Sequence, residues 1–169
     1  NEFTIPLVEP NPLAKALSFV TDSTGSVSGT ILTNDKDIIV DWGTGDVETV
    51  SSGSGNLSYD YSGTSGEKQL DLTLKGGLKD TTEITLASFS LAGAVPTWLG
   101  HCENLSTLDL SGNSIDTYNS ITWNIPDGIS INVSNNSTLS ADAISQWFID
   151  LDNGRLDGSI PQNGSFDER

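Results

Sequence analysis

The first half of the chain alternates between apolar and polar residues with a period of two. The clearest example is Leu70, Leu72 and Leu74, each separated from the next by a polar residue. Clusters of Gly, Ser and Asn interrupt these alternating runs, as turns between strands do. The pattern predicts an antiparallel β-sandwich with one solvated face. The predicted strands and strand–turn–strand units lie at 15–20, 26–32, 36–50 and 57–76.

From residue 79 onward the apolar spacing changes to a longer repeat. The stretch LeuSerThrLeuAspLeuSerGlyAsnSerIle at 105–115 contains leucines three and two residues apart, followed by an asparagine. Equivalent positions recur at steps of about 24 and about 23 residues, a period typical of solenoid repeats. The aligned strand positions are Leu86, Leu110 and Val133, and the asparagine position reads Phe89, Asn113 and Asn136.

This spacing resembles that of leucine-rich repeats. The resemblance implies that Leu108 and Leu110 point into a core and that Asn113 hydrogen-bonds the backbone of neighbouring coils. It also implies a binding surface and not an active site. Because Phe89 departs from the repeat, its coil is expected to be an atypical cap that joins onto the preceding sandwich.

The spacing becomes helical after the last coil. Ser140 is a suitable N-cap, and residues 140–152 carry apolar side chains at Ile144, Trp147, Phe148 and Leu151. AsnGly at 153–154 is expected to end this helix, and 155–161 can supply a last strand. Since a short solenoid cannot cover its own ends, the helix is expected to act as its lid.

A second resemblance lies in ValAspTrpGlyThrGlyAsp at 40–46. This turn, together with the TyrAspTyr stretch and the alternating strand that follow it, resembles polycystic-kidney-disease-type (PKD) immunoglobulin-like domains over roughly 13–76. Thr44 replaces the aspartate usual in that family, which argues against a calcium site. We therefore expect Trp42 to anchor the core and Asp41 and Asp46 to form the turn.

Together the motifs predict three segments: an extended arm at 1–12, a PKD/immunoglobulin-like sandwich at 13–78, and a short leucine-rich-repeat domain at 79–169. This order resembles that of phage virion proteins (head decoration or tail fibre) and of bacterial surface proteins. The expected location is the virion surface, with the bacterial cell surface or extracellular space as the alternative. The chain contains no Met, which leaves a processed precursor open.

The charge of the chain narrows the choice of partners. Its net charge is −16 with only seven basic residues. Nucleic-acid backbones and anionic membranes repel such a chain. No apolar run is long enough to span a membrane, so neither nucleic-acid binding nor membrane insertion is expected. Docking to a basic protein surface would suit it. Capsid or other virion proteins are the expected partners, a host glycan or receptor is the alternative, and a homo-oligomer stays open.

The residue types offer little for catalysis. Cys102 is the only cysteine and His101 the only histidine, and as neighbours their side chains should point apart. A structural Cys102 is therefore the preferred interpretation. A glycosidase needs two carboxyl groups that face each other across a cleft. Asp109 with Asp116 and Asp150 with Asp152 are the candidates, but solvent positions on strands and at a helix end explain them better. We expect no catalytic residues, no metal and no cofactor, and thus no enzyme.

Two segments are candidates for contact with partners. The N-terminal arm contains three prolines, which exclude a helix, and it carries apolar residues that cannot form their own core. It can pair with its own sandwich or with a neighbouring subunit. Tyr118 and Trp123 are candidates for a receptor or partner face. The docking residues of the arm are Phe3, Ile5, Leu7 and Val8.

Two classes of function follow. The first is a non-enzymatic structural protein on a phage particle, most simply a capsid decoration, cement or head-fibre protein. The second is a tail-fibre or cell-surface adhesin, in which exposed Tyr118 and Trp123 would stack on a sugar or bind a protein receptor. Exposure of Trp123 therefore favours the adhesin.

Overall fold

The computed structural model describes residues 16–34, 36–52, 54–75, 77–126 and 128–154. The predicted arm at 1–12 and the predicted last strand at 155–161 lie outside these ranges. The described part is mainly β, with two mixed sheets and one C-terminal helix, which confirms the predicted class. The elements are β1 Ala16–Thr21, β2 Ser26–Thr33, β3 Ile38–Asp41, β4 Val47–Val50, β5 Asn56–Asp60, β6 Lys68–Leu74, β7 Thr81–Thr85, β8 Leu91–Ala94, β9 Thr107–Asp109, β10 Ser114–Thr117, β11 Ser130–Asn132 and α1 Ala141–Asn153.

The two sheets have six and five strands. The six-stranded sheet runs β10-β8-β1-β6-β3-β4, and the five-stranded sheet runs β11-β9-β7-β2-β5. The buried apolar side chains of both sheets belong to one core cluster. The fold is therefore two sheets around a single core, and each sheet contains strands from both halves of the sequence.

Strands β1 to β6 pair only in antiparallel fashion with one another. Strand β6 lies between β1 and β3, and its Leu70, Leu72 and Leu74 are each at most 1% exposed. The alternation predicted for this strand is thus confirmed. It arises because successive side chains of a strand point to opposite faces of the sheet.

The later strands form parallel ladders. Strands β7, β9 and β11 pair in parallel in one sheet, and β10 pairs in parallel with β8 in the other. In this register Ile84 lies beside Leu108, which lies beside Ile131. Each passage of the chain from one sheet to the other and back therefore adds one strand to each sheet. We call each such passage a coil.

Both sheets are continuous across the predicted boundary at residues 78 and 79. Strand β2 pairs with β7 and β1 pairs with β8, both antiparallel. Gly29 permits a close approach here, because a Cβ atom would lie 2.3 Å from the Thr85 carbonyl oxygen and 2.7 Å from the Phe89 ring. Phe89 is fully buried, and its carbonyl accepts a 2.6 Å hydrogen bond from the Thr21 hydroxyl. Phe89 therefore lies where the antiparallel and parallel halves meet.

Helix α1 begins as predicted. The Ser140 hydroxyl oxygen accepts a 3.1 Å hydrogen bond from the backbone N–H of Ala143, which satisfies one of the free donors of the first turn. Trp147 and Leu151 are buried, whereas Phe148 is 37% exposed and Ile149 is 54% exposed. The helix thus buries one face against the coils and leaves the other in solvent.

Candidate functional site

Asn113 is buried between two coils and satisfies backbone groups of both. Its amide nitrogen donates to the carbonyl oxygens of Leu86 and Leu110 at 2.9 and 2.8 Å, and to that of Ser111 at 3.3 Å. Its amide oxygen accepts from the Leu91 backbone N–H at 3.0 Å. Since buried backbone groups must be paired, this side chain replaces partners that the turn between the sheets lacks.

Asn136 repeats the arrangement one coil later. Its amide nitrogen donates to the carbonyl oxygens of Leu110 and Val133, each at 2.9 Å. Its amide oxygen accepts from the Ile115 N–H at 3.1 Å. We call Asn113 and Asn136 the asparagine ladder. It fixes the position of each coil against the preceding one, a role that the resemblance to leucine-rich repeats implied for Asn113.

Tyr118 and Trp123 do not form an exposed face. Trp123 is only 2% exposed, so the prediction that it lies in solvent is wrong. Tyr118 is half-buried, and its ring stacks on Trp147 at 4.9 Å. The Trp123 indole N–H donates to the Tyr118 hydroxyl oxygen at 3.2 Å. The segment after β10 folds under α1, and this packing draws both rings inward.

A carboxylate lies at the centre of this cluster. Asp150 Oδ2 accepts hydrogen bonds from the hydroxyls of Tyr118 and Ser120 and from the Ile121 N–H, at 3.0, 2.8 and 3.1 Å. Asp150 Oδ1 accepts one from Gln146 at 2.7 Å. We call Tyr118, Ser120, Trp123, Trp147 and Asp150 the end cluster.

The environment of Asp150 changes its acidity. Burial on its own raises the carboxyl pKa, but the hydrogen bonds from Ser120, Gln146, Ile121 and Tyr118 outweigh that effect, and the pKa falls below its usual range. Burial raises the pKa of Tyr118 to about 12. The prediction that Asp150 occupies a solvent position is wrong, because it is 9% exposed and joins α1 to the segment after β10. Its charged residue type favours a solvent position, although its spacing of three residues from Trp147 places it on the same side of the helix.

The turn at 40–46 is a structural feature of the antiparallel half. Trp42 is 1% exposed and stacks on Tyr59 at 4.8 Å, which confirms that it anchors the core. The Tyr61 hydroxyl donates to the Trp42 carbonyl oxygen at 3.1 Å. Asp41 accepts from the Gly43 N–H and Asp46 accepts from the Tyr59 hydroxyl, so both carboxylates stabilise the turn.

Cys102 and His101 are separated as expected. Cys102 is fully buried, and burial raises the pKa of its thiol to about 12, whereas His101 is exposed. The thiolate needed for nucleophilic attack or metal binding is therefore strongly disfavoured.

The other carboxylates considered above either accept hydrogen bonds from nearby residues or are exposed to solvent. Asp109 accepts hydrogen bonds from the Ser111 N–H and from the Asn132 amide, while Asp116 and Asp152 are exposed. Among the described residues no group of three or more His, Cys, Asp or Glu could hold a metal ion. No described helix has the length and apolar character needed to cross a membrane.

Two open depressions adjoin β5, one lined by residues of β4 and β5 and the other by residues of β2 and β5. Their volumes are about 360 and about 420 Å³, and Asn56 and Ser58 line both. No family model, curated protein or solved structure matches this chain. Its function must therefore be argued from its own residues.

Proposed function

We propose that this chain is a non-enzymatic protein of a phage particle surface, a capsid decoration, cement or head-fibre protein. In the same proposal its antiparallel half is a PKD/immunoglobulin-like sandwich, and its parallel half is a short leucine-rich-repeat solenoid. The asparagine ladder and the common register of Ile84, Leu108 and Ile131 support the solenoid. The buried Trp42 and its aspartate-stabilised turn support the sandwich.

The observation that carries the proposal is the single core shared by both halves. Strands β2 and β7, and β1 and β8, pair directly, so no flexible linker separates the antiparallel strands from the coils. A body of this kind presents one end at a fixed distance from the other. That property suits a protein that docks at one end to a particle and displays its other end.

The charge of the chain supports docking to a protein surface. A net charge of −16 gives long-range attraction toward a basic shell and repulsion between neighbouring copies in solution. Both effects favour a protein that is soluble when free and binds when it meets its particle. The arm residues Phe3, Ile5, Leu7 and Val8 stay the predicted docking contacts.

The adhesin alternative loses the observation that favoured it. Stacking on a sugar requires an exposed aromatic face. Trp123 instead donates a hydrogen bond inside the end cluster, and the Tyr118 ring is covered by Trp147. We therefore propose particle attachment ahead of receptor binding.

Immunogold labelling of native particles tests this proposal. Antibodies raised against residues 79–165 should place gold over the whole capsid, and antibody pre-absorbed with the purified protein should remove the label. Gold confined to a tail tip or to a bacterial envelope would overturn the decoration assignment.

A further inference from the structure

Strand β5 is the longest of the four outer strands of the two sheets. It has five residues, whereas β4 and β10 have four each and β11 has three. Short outer strands discourage pairing with another chain, and so do charges that point inward. Strand β4 carries Glu48 in register with the buried Val40, and on β10 both backbone groups of Ile115 bond side chains of the next coil. Of the described outer strands, β5 is therefore the one best suited to accept a further strand.

The backbone of β5 turns the N–H and C=O groups of every second residue away from β2. The Gly55 carbonyl oxygen accepts a 2.9 Å hydrogen bond from β2, and the Tyr61 N–H donates a 3.1 Å bond to the residue before β2. Facing residues of an antiparallel pair alternate between pairs that exchange hydrogen bonds and pairs that do not. Between Gly55 and Tyr61 the odd-numbered residues therefore bond β2, and the even-numbered residues face outward. These outward residues are Asn56, Ser58 and Asp60, and no described strand pairs with them.

The depression of about 360 Å³ lies on this outward side of β5. Asn56 and Ser58 line it together with residues 48–50 of β4, so it lies between the outer strands of the two sheets. A strand added to β5 would occupy this space and turn alternate side chains toward the core and toward solvent. Its inner side chains would lie beside the buried Leu57 and Val50. The space therefore suits a segment with an apolar residue at every second position.

The charges around this edge select a basic occupant. Asp60 is exposed on the outer side of β5, Glu48 lines the depression, and no basic residue lines either depression. Hydrogen bonds from Ser62 lower the pKa of the Asp60 carboxyl, so this group is ionised at neutral pH. The net charge of −16 repels a second copy of the chain and attracts a basic segment. The occupant that complements this edge therefore belongs to a different, basic protein.

We propose that β5 binds an extended segment of a partner protein by strand addition, and that this segment alternates basic with apolar residues. Its backbone pairs with the outward N–H and C=O groups of Asn56, Ser58 and Asp60. Its apolar side chains cover Leu57, and its basic side chains lie on the side of Asp60. The inference does not depend on attachment to a phage particle, so immunogold labelling and the experiment below can fail independently.

Hydrogen exchange of the full chain with a synthetic peptide of four lysine-valine repeats tests this pairing. In the free chain the outward amides of Asn56, Ser58 and Asp60 should exchange fast. Saturating peptide should slow them by at least about tenfold, because a paired amide exchanges only when the pairing opens. The amides of Leu57 and Tyr59 already bond β2 and should keep their rates. This alternation along β5 distinguishes strand addition from a general attraction between opposite charges.

Two proline substitutions test the edge by calorimetric titration with the same peptide. Ser58→Pro removes an outward N–H without breaking a bond to β2, and it should weaken binding by at least about tenfold. Val47→Pro is the matched control, since Val47 lies on the outer strand β4 and lines neither depression. The Trp42 N–H donates to the Asp46 carbonyl oxygen, so by the same alternation the Val47 N–H points away from β3. Val47→Pro should leave binding unchanged.

Two control peptides separate the pattern of the segment from its charge. One has four consecutive lysines followed by four valines, the other has glutamate in place of each lysine, and neither should protect the outward amides. Equal protection by the consecutive-lysine peptide, no protection by the alternating peptide, or equal weakening by the two proline variants would overturn the proposal. Slow exchange of the outward amides in the free chain would also overturn it, and its loss on dilution would assign the edge to a second copy. If Ser58→Pro unfolds the protein, the alternation measured on the native chain decides alone.

Discussion

The antiparallel and parallel halves of this molecule provide hydrogen-bond partners for their buried backbone N–H and C=O groups in different ways. In the antiparallel half, ladders such as β1 with β6 pair residue against residue over 16–21 and 68–73. In the parallel half, strands of three to five residues are joined by turns that cross from one sheet to the other. There the side chains of Asn113 and Asn136 complete the hydrogen bonding.

The difference shows which residue types the two kinds of strand pairing require. An antiparallel ladder needs alternation and turns, and many residues meet that need. A coil needs an amide at one defined position, because the turn must receive two N–H donors and one acceptor, and among neutral side chains only Asn and Gln supply this set. Where the two halves meet, the same position is occupied by Phe89, which packs against Gly29 and makes no such bonds through its side chain.

The largest expected loss of stability comes from substitutions at Phe89, where the antiparallel and parallel halves meet. Phe89→Ala should destabilise the protein by about 3–5 kcal/mol, since it leaves a cavity in a fully buried position. Phe89→Asn should not restore stability, because no preceding coil offers its turn to the new amide. Urea unfolding at pH 7 measures both variants. An Asn variant close to native stability would show that the junction behaves as an ordinary coil.

The next effect comes from the ladder itself. Asn113→Ala should cost about 2–3 kcal/mol, because the Leu91 N–H and the Leu86 carbonyl lose their partner while they stay buried. Asn119→Ala removes the same side chain from an exposed loop and should change stability by less than about 0.5 kcal/mol. Equal effects of the two substitutions on the thermal unfolding temperature would contradict a stabilising role of the asparagine ladder.

A smaller effect, with a pH signature, is expected in the end cluster. Asp150→Asn should lower stability at pH 7 by about 1–2 kcal/mol through weaker hydrogen bonds. Because the folded pKa of Asp150 lies below its unfolded value of about 3.9, its contribution is present above that pH. It is lost as the pH falls through the folded pKa.

The native protein should therefore lose more stability on acidification than the Asp150→Asn variant does. Urea unfolding between neutral pH and acid pH measures this difference. Asp152→Asn, two residues further along α1 and exposed, should follow the native profile. Parallel profiles for the native and Asp150→Asn proteins would contradict the role of the carboxylate.

The smallest effect concerns the antiparallel half. Tyr61→Phe removes the hydrogen bond to the Trp42 carbonyl and should cost about 1 kcal/mol. Tyr59→Phe breaks a bond to the exposed Asp46 and should cost less than Tyr61→Phe does. The reverse order in urea unfolding would show that the exposed turn, and not the buried hydroxyl, holds the two sheets together here.

Much of the fold could be predicted because it depends on local periodicity. Leu70, Leu72 and Leu74 show their alternation within seven residues, and Ser140 marks the start of α1 by its residue type. The continuity of both sheets could not be predicted in this way. It depends on pairs such as Val20 with Ala92, which are far apart in the sequence.

The end cluster shows why candidate sites are harder to predict. A surface tryptophan and a buried one look alike in a loop rich in Asn and Ser, so the sequence makes Trp123 a candidate for an exposed face. Its burial depends on α1 folding back over the segment after β10, with Asp150 accepting the Ile121 N–H. Helical periodicity identified the apolar face of α1 but not the polar residue beside it.

The position of β1 has a consequence for synthesis on the ribosome. This strand leaves the ribosome before β6 and β8, yet it lies between them and pairs with residues as far along the chain as Ala92. The chain through Ala92 must therefore emerge before β1 has both neighbours, and such non-local pairing slows folding. The coils then need only the strand made one repeat earlier. Nascent chains should thus show one late, cooperative step, followed by stepwise growth toward α1.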